Sequence, residues 1–253
     1  MLDFKKWFDN KYFETELGYI INGDCLNEMK KIPDKSINMI LCDLPYGSTQ
    51  NKWDIIIPFE LLWHQYKRII KENGAIVLTC NQPFTSMLLM SNNKLFRYSL
   101  VWEKTTPTGH LNAKKMPLRI HEDILVFYKK LPTYNPQKTA GHKRKVSKAE
   151  HKINCVKTSN YGTHGLTTYD STERYPTSVL KFKTDKQKHP LHPTQKPVAL
   201  FEWLINTYTN EYDLVLDNTA GVVTTGLASE NLNRRWICIE KEIDYCEKGK
   251  SRF

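Results

Sequence analysis

Short apolar runs recur along the chain at spacings that predict alternating strands and helices. Seven runs rich in β-branched and aromatic residues predict buried strands, over residues 19–22, 37–43, 75–80, 98–102, 124–128, 214–217 and 236–240. Between the second and third runs, the apolar positions of residues 58–74 recur at helical spacing. Pro58 suits the first turn of this helix and Gly74 its C-cap. The segment therefore predicts a strand–helix–strand unit.

A second unit of the same kind follows Pro197. Apolar residues between 201 and 208 keep helical spacing ahead of the strand at 214–217, and a further helix is predicted over 224–231. Alternating strands and helices predict an α/β fold, with a mostly parallel sheet covered by helices on both faces. In such sheets ligands bind beyond the carboxyl ends of the strands, so the residues at those ends are the first candidates for a site.

The strand over 37–43 ends in Asp43-Leu44-Pro45-Tyr46, a motif that suits binding of an amino group. The exocyclic nitrogen of adenine or cytosine is a poor nucleophile because its lone pair is delocalised into the ring. Hydrogen bonds from that amino group to the Asp43 carboxylate and the Leu44 carbonyl would draw the nitrogen toward tetrahedral geometry. Pro45 would hold the carbonyl in place, and Tyr46 offers a face for a flipped base. An ordinary strand-ending turn is the alternative.

A second group of candidate residues lies where the strand at 214–217 turns into the next helix. The small residues there would let a ligand approach backbone N–H groups. The strand at 236–240 ends in Glu240, 23 residues after Asp217, a spacing at which a carboxylate can accept hydrogen bonds from ribose hydroxyls. An adenosine-containing cofactor fits this pattern, and so does a buried turn followed by a solvated strand end.

The positive net charge of the chain favours a polyanionic partner. The chain has 253 residues, 40% of them hydrophobic, which is enough for one large α/β domain, and a net charge of +10. Residues 129–188 hold fourteen Lys or Arg against four Asp or Glu, so this segment alone accounts for the net charge. With its interleaved tyrosines it predicts an insertion that reads nucleic acid. A solvated basic loop is the alternative.

The sequence predicts neither a metal site nor a membrane segment. The six cysteines are scattered without a CxxC pair or the His–Cys spacing of a zinc site, and reduced thiols are expected. The first ten residues carry charge where a secretory signal would be apolar, and no stretch approaches the ~18 apolar residues of a membrane span. A cytoplasmic protein is expected.

Taken together, these motifs resemble the β group of amino-methyltransferases, the bacterial and phage DNA methylases in which the catalytic half precedes the cofactor loop. They occur in the family's order over most of the chain: INGDCL at 21–26, the quartet at 43–46, the basic insertion, HPTQKP at 192–197 and the loop after Asp217. The resemblance implies an S-adenosylmethionine-dependent methyltransferase fold. Residues 1–128 would form its catalytic half, 129–188 a target-recognition insertion and 189–253 its cofactor-binding half.

The resemblance also implies roles for individual residues. The quartet would hold the target amino group, which makes the candidate catalytic residues Asp43, Leu44, Pro45 and Tyr46. The candidate cofactor-binding residues are Asp24, Cys25, Thr194, Lys196, Asp217, Asn218, Thr219, Ala220, Gly221, Thr224, Thr225 and Glu240. Among these, Glu240 would bind the ribose and Asp24 with Cys25 the adenine. Thr194 and Lys196 would line the amino-acid end of the cofactor.

The chain departs from the family pattern at one place. Relatives usually have Gly-Ser-Gly where this chain has Gly221-Val222-Val223. If position 223 needs a positive φ or close contact with the cofactor, a β-branched side chain there would be strained or obstructive. Each unfavourable backbone conformation costs about 1–3 kcal/mol. A non-catalytic DNA-binding homologue is therefore an alternative function.

The resemblance implies direct methyl transfer from S-adenosylmethionine to adenine N6 of a base flipped out of double-stranded DNA. Asp43 favours adenine, because relatives that methylate cytosine N4 often have Ser in its place. Cytosine N4 stays the alternative, and RNA as substrate is not excluded by charge. Cytosine C5 is disfavoured, because its attacking cysteine follows a proline in relatives and no cysteine does so here. A homodimer and a cognate restriction nuclease are open options.

Overall fold

The computed structural model describes residues 3–148, 168–184 and 195–253. These residues divide into two compact units: the first lies within Met1–Asn135 and Ser178–Phe253, and the second within Pro136–Thr177. No helix among the described residues is long and apolar enough to cross a membrane.

Most strands belong to one sheet of the first unit. The described strands are β1 (Phe13–Glu14), β2 (Gly18–Asn22), β3 (Ile37–Asp43), β4 (Ile70–Cys80), β5 (Phe96–Thr108), β6 (Arg119–Phe127), β7 (Lys145–Ser147), β8 (Tyr169–Ser171), β9 (Val179–Phe182), β10 (Leu214–Asp217) and β11 (Arg235–Glu240). The α-helices are α1 (Cys25–Glu28), α2 (Phe59–Ile69), α3 (Phe84–Ser91), α4 (Val198–Tyr208), α5 (Thr224–Asn231) and α6 (Ile243–Lys250).

The sheet has the order β1-β2-β11-β10-β3-β4-β6-β5-β9. Its five consecutive strands from β2 to β4 run parallel, whereas β6 is antiparallel to both β4 and β5. Strands β3 and β10 lie side by side, but the chain continues from β3 to β4 and from β10 to β11, which are on opposite sides. Their carboxyl ends therefore form the switch point at which α/β sheets bind ligands.

Helices cover both faces of this sheet. Side chains alternate along β3, so that Ile40 and Cys42 pack with α2 and α3, while Met39 and Leu41 pack with α4 and α5. All four side chains are fully buried. The α/β class and the mostly parallel sheet predicted from the sequence are confirmed, and the sheet holds β3 rigidly between its neighbours.

The predicted elements are present with one local correction. All seven predicted runs lie in strands, apart from Tyr128, which follows the end of β6, and the helices expected at 201–208 and 224–231 are α4 and α5. The prediction of a C-cap at Gly74 is wrong, because α2 ends at Ile69 and Gly74 lies inside β4. A Cβ at Gly74 would approach the Asn38 carbonyl oxygen of β3 to 2.8 Å. This glycine therefore serves close strand packing and does not end a helix.

The second unit is described over residues 136–148 and 168–177. In it β7 and β8 pair antiparallel, and the Arg144 guanidinium donates two hydrogen bonds, of 2.7 and 2.6 Å, to the Asp170 carboxylate. Lys138 forms an ion pair with Glu173. This unit falls inside the basic segment 129–188, whose role in target recognition stays a prediction.

Candidate active site

A cavity of about 870 Å³ opens at the carboxyl ends of β3, β10 and β11. The predicted site residues that line it are Asp24, Cys25, Asp43, Leu44, Pro45, Tyr46, Lys196, Asp217, Asn218, Thr219, Ala220, Gly221, Thr224 and Glu240. Thr225 is fully buried behind the β10–α5 loop. Thr194 lies outside the described residues. The structure thus brings the two predicted groups of residues, from distant parts of the sequence, to one cavity.

The Asp43 carboxylate ends β3 and is held by three donors. Its Oδ1 atom accepts hydrogen bonds from the hydroxyls of Tyr46 and Thr79, both at 2.5 Å. Its Oδ2 atom accepts one from Lys196 Nζ at 2.7 Å. The side chain keeps 26% of its surface exposed. A carboxylate has about four acceptor positions, so Asp43 retains capacity for one further donor from the cavity.

Behind Asp43 lies a buried chain of alternating charges. Lys196 Nζ is 3.1 Å from Glu122 Oε2, and the Lys104 ammonium contacts the other oxygen of Glu122. Burial alone would lower the pKa of Lys196, but the charges of Asp43 and Glu122 outweigh it and raise that pKa above its ordinary value. Burial would raise the pKa of Glu122, and the two ammonium groups outweigh it and lower that pKa.

The loop between β10 and α5 is organised by Asp217. Its carboxylate accepts hydrogen bonds from the Thr219 N–H at 3.0 Å and the Thr225 hydroxyl at 2.5 Å. Burial raises the pKa of Asp217 to about 7, against the opposing effect of these hydrogen bonds. The Thr219 hydroxyl donates to the Asp43 carbonyl oxygen at 3.1 Å, which joins this loop to the quartet.

Two further acids frame the other side of the cavity. Glu240 accepts hydrogen bonds from the backbone N–H groups of Gly221, at 2.7 Å, and Glu242, at 2.8 Å, and burial raises its pKa. Asp24 caps α1 by accepting from the Asn27 N–H at 3.1 Å. Burial raises the pKa of the neighbouring Cys25 thiol to about 11, so this thiol is protonated at neutral pH.

Val223 has the positive φ that would strain a β-branched side chain, as considered from the departure of this loop from the family pattern. Its φ is 60° and its ψ is 39°, a region that β-branched residues rarely occupy. Its side chain is fully buried and points away from the cavity into the core, where its methyl carbons lie within 2.5 Å of where a Cβ on Gly226 or Gly249 would be. Val222 lines the cavity instead.

Sequence reasoning missed several residues of this site. Thr79, Lys104 and Glu122 come from β4, β5 and β6, and the last two lie just outside the predicted runs at 98–102 and 124–128, between polar neighbours that give no signal of burial. Asp54 was missed as well. Its carboxylate accepts backbone N–H groups from residues 47–49 at 2.7 to 2.9 Å and so fixes the turn after the quartet, where Gly47 has a φ of 65°.

The cavity suits a nucleoside cofactor with a polar amino-acid end. Its volume lies in the range of about 300–1,000 Å³ that small-molecule sites occupy. Asn218 Nδ2 and the side-chain amide of Gln195 are buried, line the cavity and have no hydrogen-bond partner among the described residues. Buried polar groups usually have partners, so these atoms are available to a ligand. The described ranges contain no cluster of three His, Cys, Asp or Glu that could hold a metal ion.

A family model described as DNA methylase matches residues 37–251. The chain belongs to this family. A DNA adenine methyltransferase of Escherichia coli, YhdJ, is 29% identical over 95% of this chain and 84% of its own length. The type II methyltransferase M2.MboI of Moraxella bovis is 29% identical over 96% of this chain and 90% of its own length. The resemblance inferred from the motifs is confirmed.

Solved structures support the same fold. The M1.HpyAVI–SAM complex superposes with a TM-score of 0.63, at 24% identity over 93% of this chain and 98% of that one. The cytosine-N4-specific PvuII DNA methyltransferase superposes with a TM-score of 0.69, at 16% identity over 96% of this chain and 88% of that one. The fold is therefore that of the S-adenosylmethionine-dependent methyltransferases.

Proposed function

We propose that this chain is a DNA methyltransferase that transfers a methyl group from S-adenosylmethionine to N6 of adenine. The observation that carries the proposal is the Asp43 carboxylate, which is fixed by three donors, is partly exposed and shares one cavity with Glu240. Membership of the DNA methylase family and the similarity to an adenine methyltransferase over 95% of the chain support DNA and adenine as the targets.

The residues of the quartet divide the work at the target base. Asp43 Oδ2 and the Leu44 carbonyl oxygen accept hydrogen bonds from the amino group and localise its lone pair. When bound, S-adenosylmethionine would supply the electrophilic methyl group to the exposed lone pair, with its sulfur as the leaving group. Asp43 Oδ2 would accept the proton that the methylated nitrogen loses. The Tyr46 ring packs against Phe84 at 5.1 Å, which holds it as a wall of the base pocket.

The other side of the cavity would bind the cofactor. Glu240 keeps acceptor capacity for the ribose hydroxyls, because its two backbone hydrogen bonds use one acceptor position on each oxygen. Asp24 and Cys25 would border the adenine. The loop from Asn218 to Gly221, with the unpartnered Asn218 Nδ2 atom, would border the amino-acid end.

The test is methylation of duplex DNA followed by digestion to nucleosides and mass spectrometry. We expect N6-methyladenine from the wild type and a fall of roughly 100–1,000-fold in rate for Asp43→Ala, the size seen when one transition-state-stabilising group is removed. Asp9→Ala removes an exposed acid near the N-terminus and serves as the matched control. Calorimetry with S-adenosylmethionine should show unchanged binding in both variants.

Each other outcome has a definite meaning. N4-methylcytosine as product would keep the mechanism and correct the base. Absence of product together with absence of S-adenosylmethionine binding would replace the proposal by the non-catalytic DNA-binding homologue. Three assignments stay predictions that accompany the proposal: the target-recognition role of residues 129–188, homodimerisation and a cognate restriction nuclease.

A further inference from the structure

We propose that Glu122 and Lys104 form a positioning pair that holds Lys196 against Asp43 and places the Glu122 carboxylate where it opposes the Lys196 charge near the target amino group. The inference rests on the proposed function, because it assigns a role within the same methyl transfer. It adds two residues that line the same cavity but belong neither to the quartet nor to the candidate cofactor-binding residues. Its basis is the buried chain of contacts Asp43–Lys196–Glu122–Lys104.

The chain is built from charges that burial should otherwise exclude. Lys104, Glu122 and Lys196 are each at most 7% exposed. Taking a charge out of water costs several kcal/mol, and replacing a buried ion pair by apolar residues is often neutral or stabilising. Four buried or half-buried charges in one line are therefore weak evidence for a role in stability. Their end point, the candidate catalytic carboxylate, indicates a role at the site.

The two members of the pair differ from Lys196 in how they are held. Glu122 faces Trp102 across the β5–β6 ladder, and Lys104 lies two residues beyond Trp102 on the same face, diagonal to Glu122. Both therefore stand on rigid strands. Lys196 lies outside the strands, just before α4, and its ammonium sits on a flexible four-carbon stem. The strand-borne carboxylate of Glu122 is the group that can fix the position of this ammonium.

The order of charges has a consequence for the reaction. The target nitrogen gains positive charge as it accepts the methyl group, so a negative environment favours the transition state. Lys196 alone would neutralise Asp43. Glu122, 3.1 Å from the Lys196 ammonium, restores a net negative charge to this group of three, and Lys104 lies on the far side of Glu122. Glu122 thus lets Lys196 orient Asp43 without cancelling its effect on the base.

The main test compares Glu122→Gln with a double variant, Lys104→Met with Glu122→Leu. The double variant removes both charges and leaves Asp43 and Lys196 as a neutral pair, so it avoids an uncompensated buried charge. We expect kcat to fall roughly 10–100-fold in both variants, as for loss of one charged hydrogen bond. KM for S-adenosylmethionine should stay within about threefold, because the pair does not border Glu240.

Glu103, the neighbour of Lys104 on β5, offers a matched control. Glu103 of β5 forms an exposed ion pair with Lys181 of β9. Glu103→Gln makes the same chemical change as Glu122→Gln and should leave kcat unchanged. If the double variant regains wild-type kcat while Glu122→Gln does not, the pair acts only by avoiding a buried unpaired charge, and the positioning role is wrong.

A second readout does not depend on activity. The Lys196 side chain can be followed by NMR in protein with ¹³C-labelled lysine, assigned with Lys196→Arg. Loss of the Glu122 charge should lower the pKa of Lys196 in Glu122→Gln, and Glu103→Gln should not change it. An unchanged Lys196 pKa would overturn the inference even if the wild type proved inactive. An active wild type with unchanged kcat in Glu122→Gln would overturn the inference and leave the proposed function intact.

Discussion

Asp217 shows what burial does to an acid that serves a loop. Its carboxylate is almost fully buried and has two hydrogen-bond donors, Thr219 and Thr225, but no cation contacts it among the described residues. Desolvation therefore outweighs hydrogen bonding, and its pKa rises to about 7. The fold keeps an acid whose charge is unfavourable at neutral pH. A cationic ligand in the cavity would relieve that cost.

This pKa gives a prediction for the pH dependence of stability. Because the folded-state pKa lies above the ordinary aspartate value of 3.8, the folded protein binds more protons than the unfolded chain between those values. The free energy of unfolding should therefore fall as pH rises from about 4 to 7. Asp217→Asn lacks this titration and should gain stability relative to the wild type over that range. Urea unfolding of both proteins at pH 5, 6, 7 and 8 measures the difference. Parallel curves would contradict the assignment.

The sequence could predict residues whose chemistry stands in one short motif. The quartet at 43–46 carries its acid, rigid turn and ring together, and Asp217 and Glu240 end strands that periodicity identifies. Glu122 carries no such local sign. It reaches Lys196 only because β6 pairs with β5 and α4 brings residue 196 beside them. Contacts between residues 74 positions apart follow from the sheet order, which periodicity does not determine.

At the scale of elements, the turn from β10 into α5 combines strain with packing. Val223 occupies a left-handed conformation that costs about 1–2 kcal/mol for an L-residue. Burial of its side chain between α5 and α6 offsets that cost. The turn therefore tolerates a residue that the family pattern disfavours. Val222 lines the cavity in which we propose that the cofactor binds, whereas the Val223 side chain does not.

We predict that Val223→Gly and Val222→Gly separate these two effects. Val223→Gly relieves strain but loses a buried side chain, worth about 1.5–3 kcal/mol, and gains about 0.5–1 kcal/mol of backbone entropy cost. The protein should lose roughly 1 kcal/mol of stability by this balance, with the Kd for S-adenosylmethionine within twofold of the wild type. Val222→Gly should weaken cofactor binding several-fold. Urea unfolding and calorimetry measure both. Equal losses of affinity would place Val223 at the cofactor.

Periodicity predicted the central elements and missed the edge of the sheet. Strands β3 and β10 and helix α5 were predicted with the bounds that the structure shows. The antiparallel direction of β6 was not predicted. Strand β9 was not predicted either, because it is four residues long and has only one buried residue. Such a strand exists through its pairing with β5 and carries little signal of its own.

At the scale of the whole molecule, positive charge is concentrated in two stretches of the chain. The basic segment 129–188 holds the net charge of the chain. A second stretch, residues 105–121, which we call the β5–β6 arm, has no acidic residue and is exposed throughout 107–121. The base of the arm lines the cavity through Thr106, Thr108 and Arg119. A duplex that delivers a base to Asp43 would therefore meet the arm, where Lys114 and Lys115 are available to phosphates.

Three lysine pairs can show how these charges share DNA binding. Lys114→Ala with Lys115→Ala changes the arm, and Lys143→Ala with Lys145→Ala changes the basic segment. Lys129→Ala with Lys130→Ala changes the first two lysines of the basic segment, which belong to the first unit and pair with Glu72 at the opposite end of β6 from the arm. Each lost phosphate contact lowers the slope of log Kd against log salt by about 0.9. We expect a fall of about 1.8 for each of the first two pairs and none for the third.

This design separates direct phosphate contacts from general electrostatic attraction, because each of the three variants loses two positive charges. If affinity followed net charge alone, the three salt slopes would fall together, and neither the arm nor the basic segment would be a DNA-contacting surface. A fall confined to the basic segment would limit phosphate contact to the predicted insertion. A fall in the arm variant is expected because the base of the arm lines the cavity that holds Asp43, where the flipped base must leave the duplex. Fluorescence anisotropy without cofactor measures all three slopes independently of methylation.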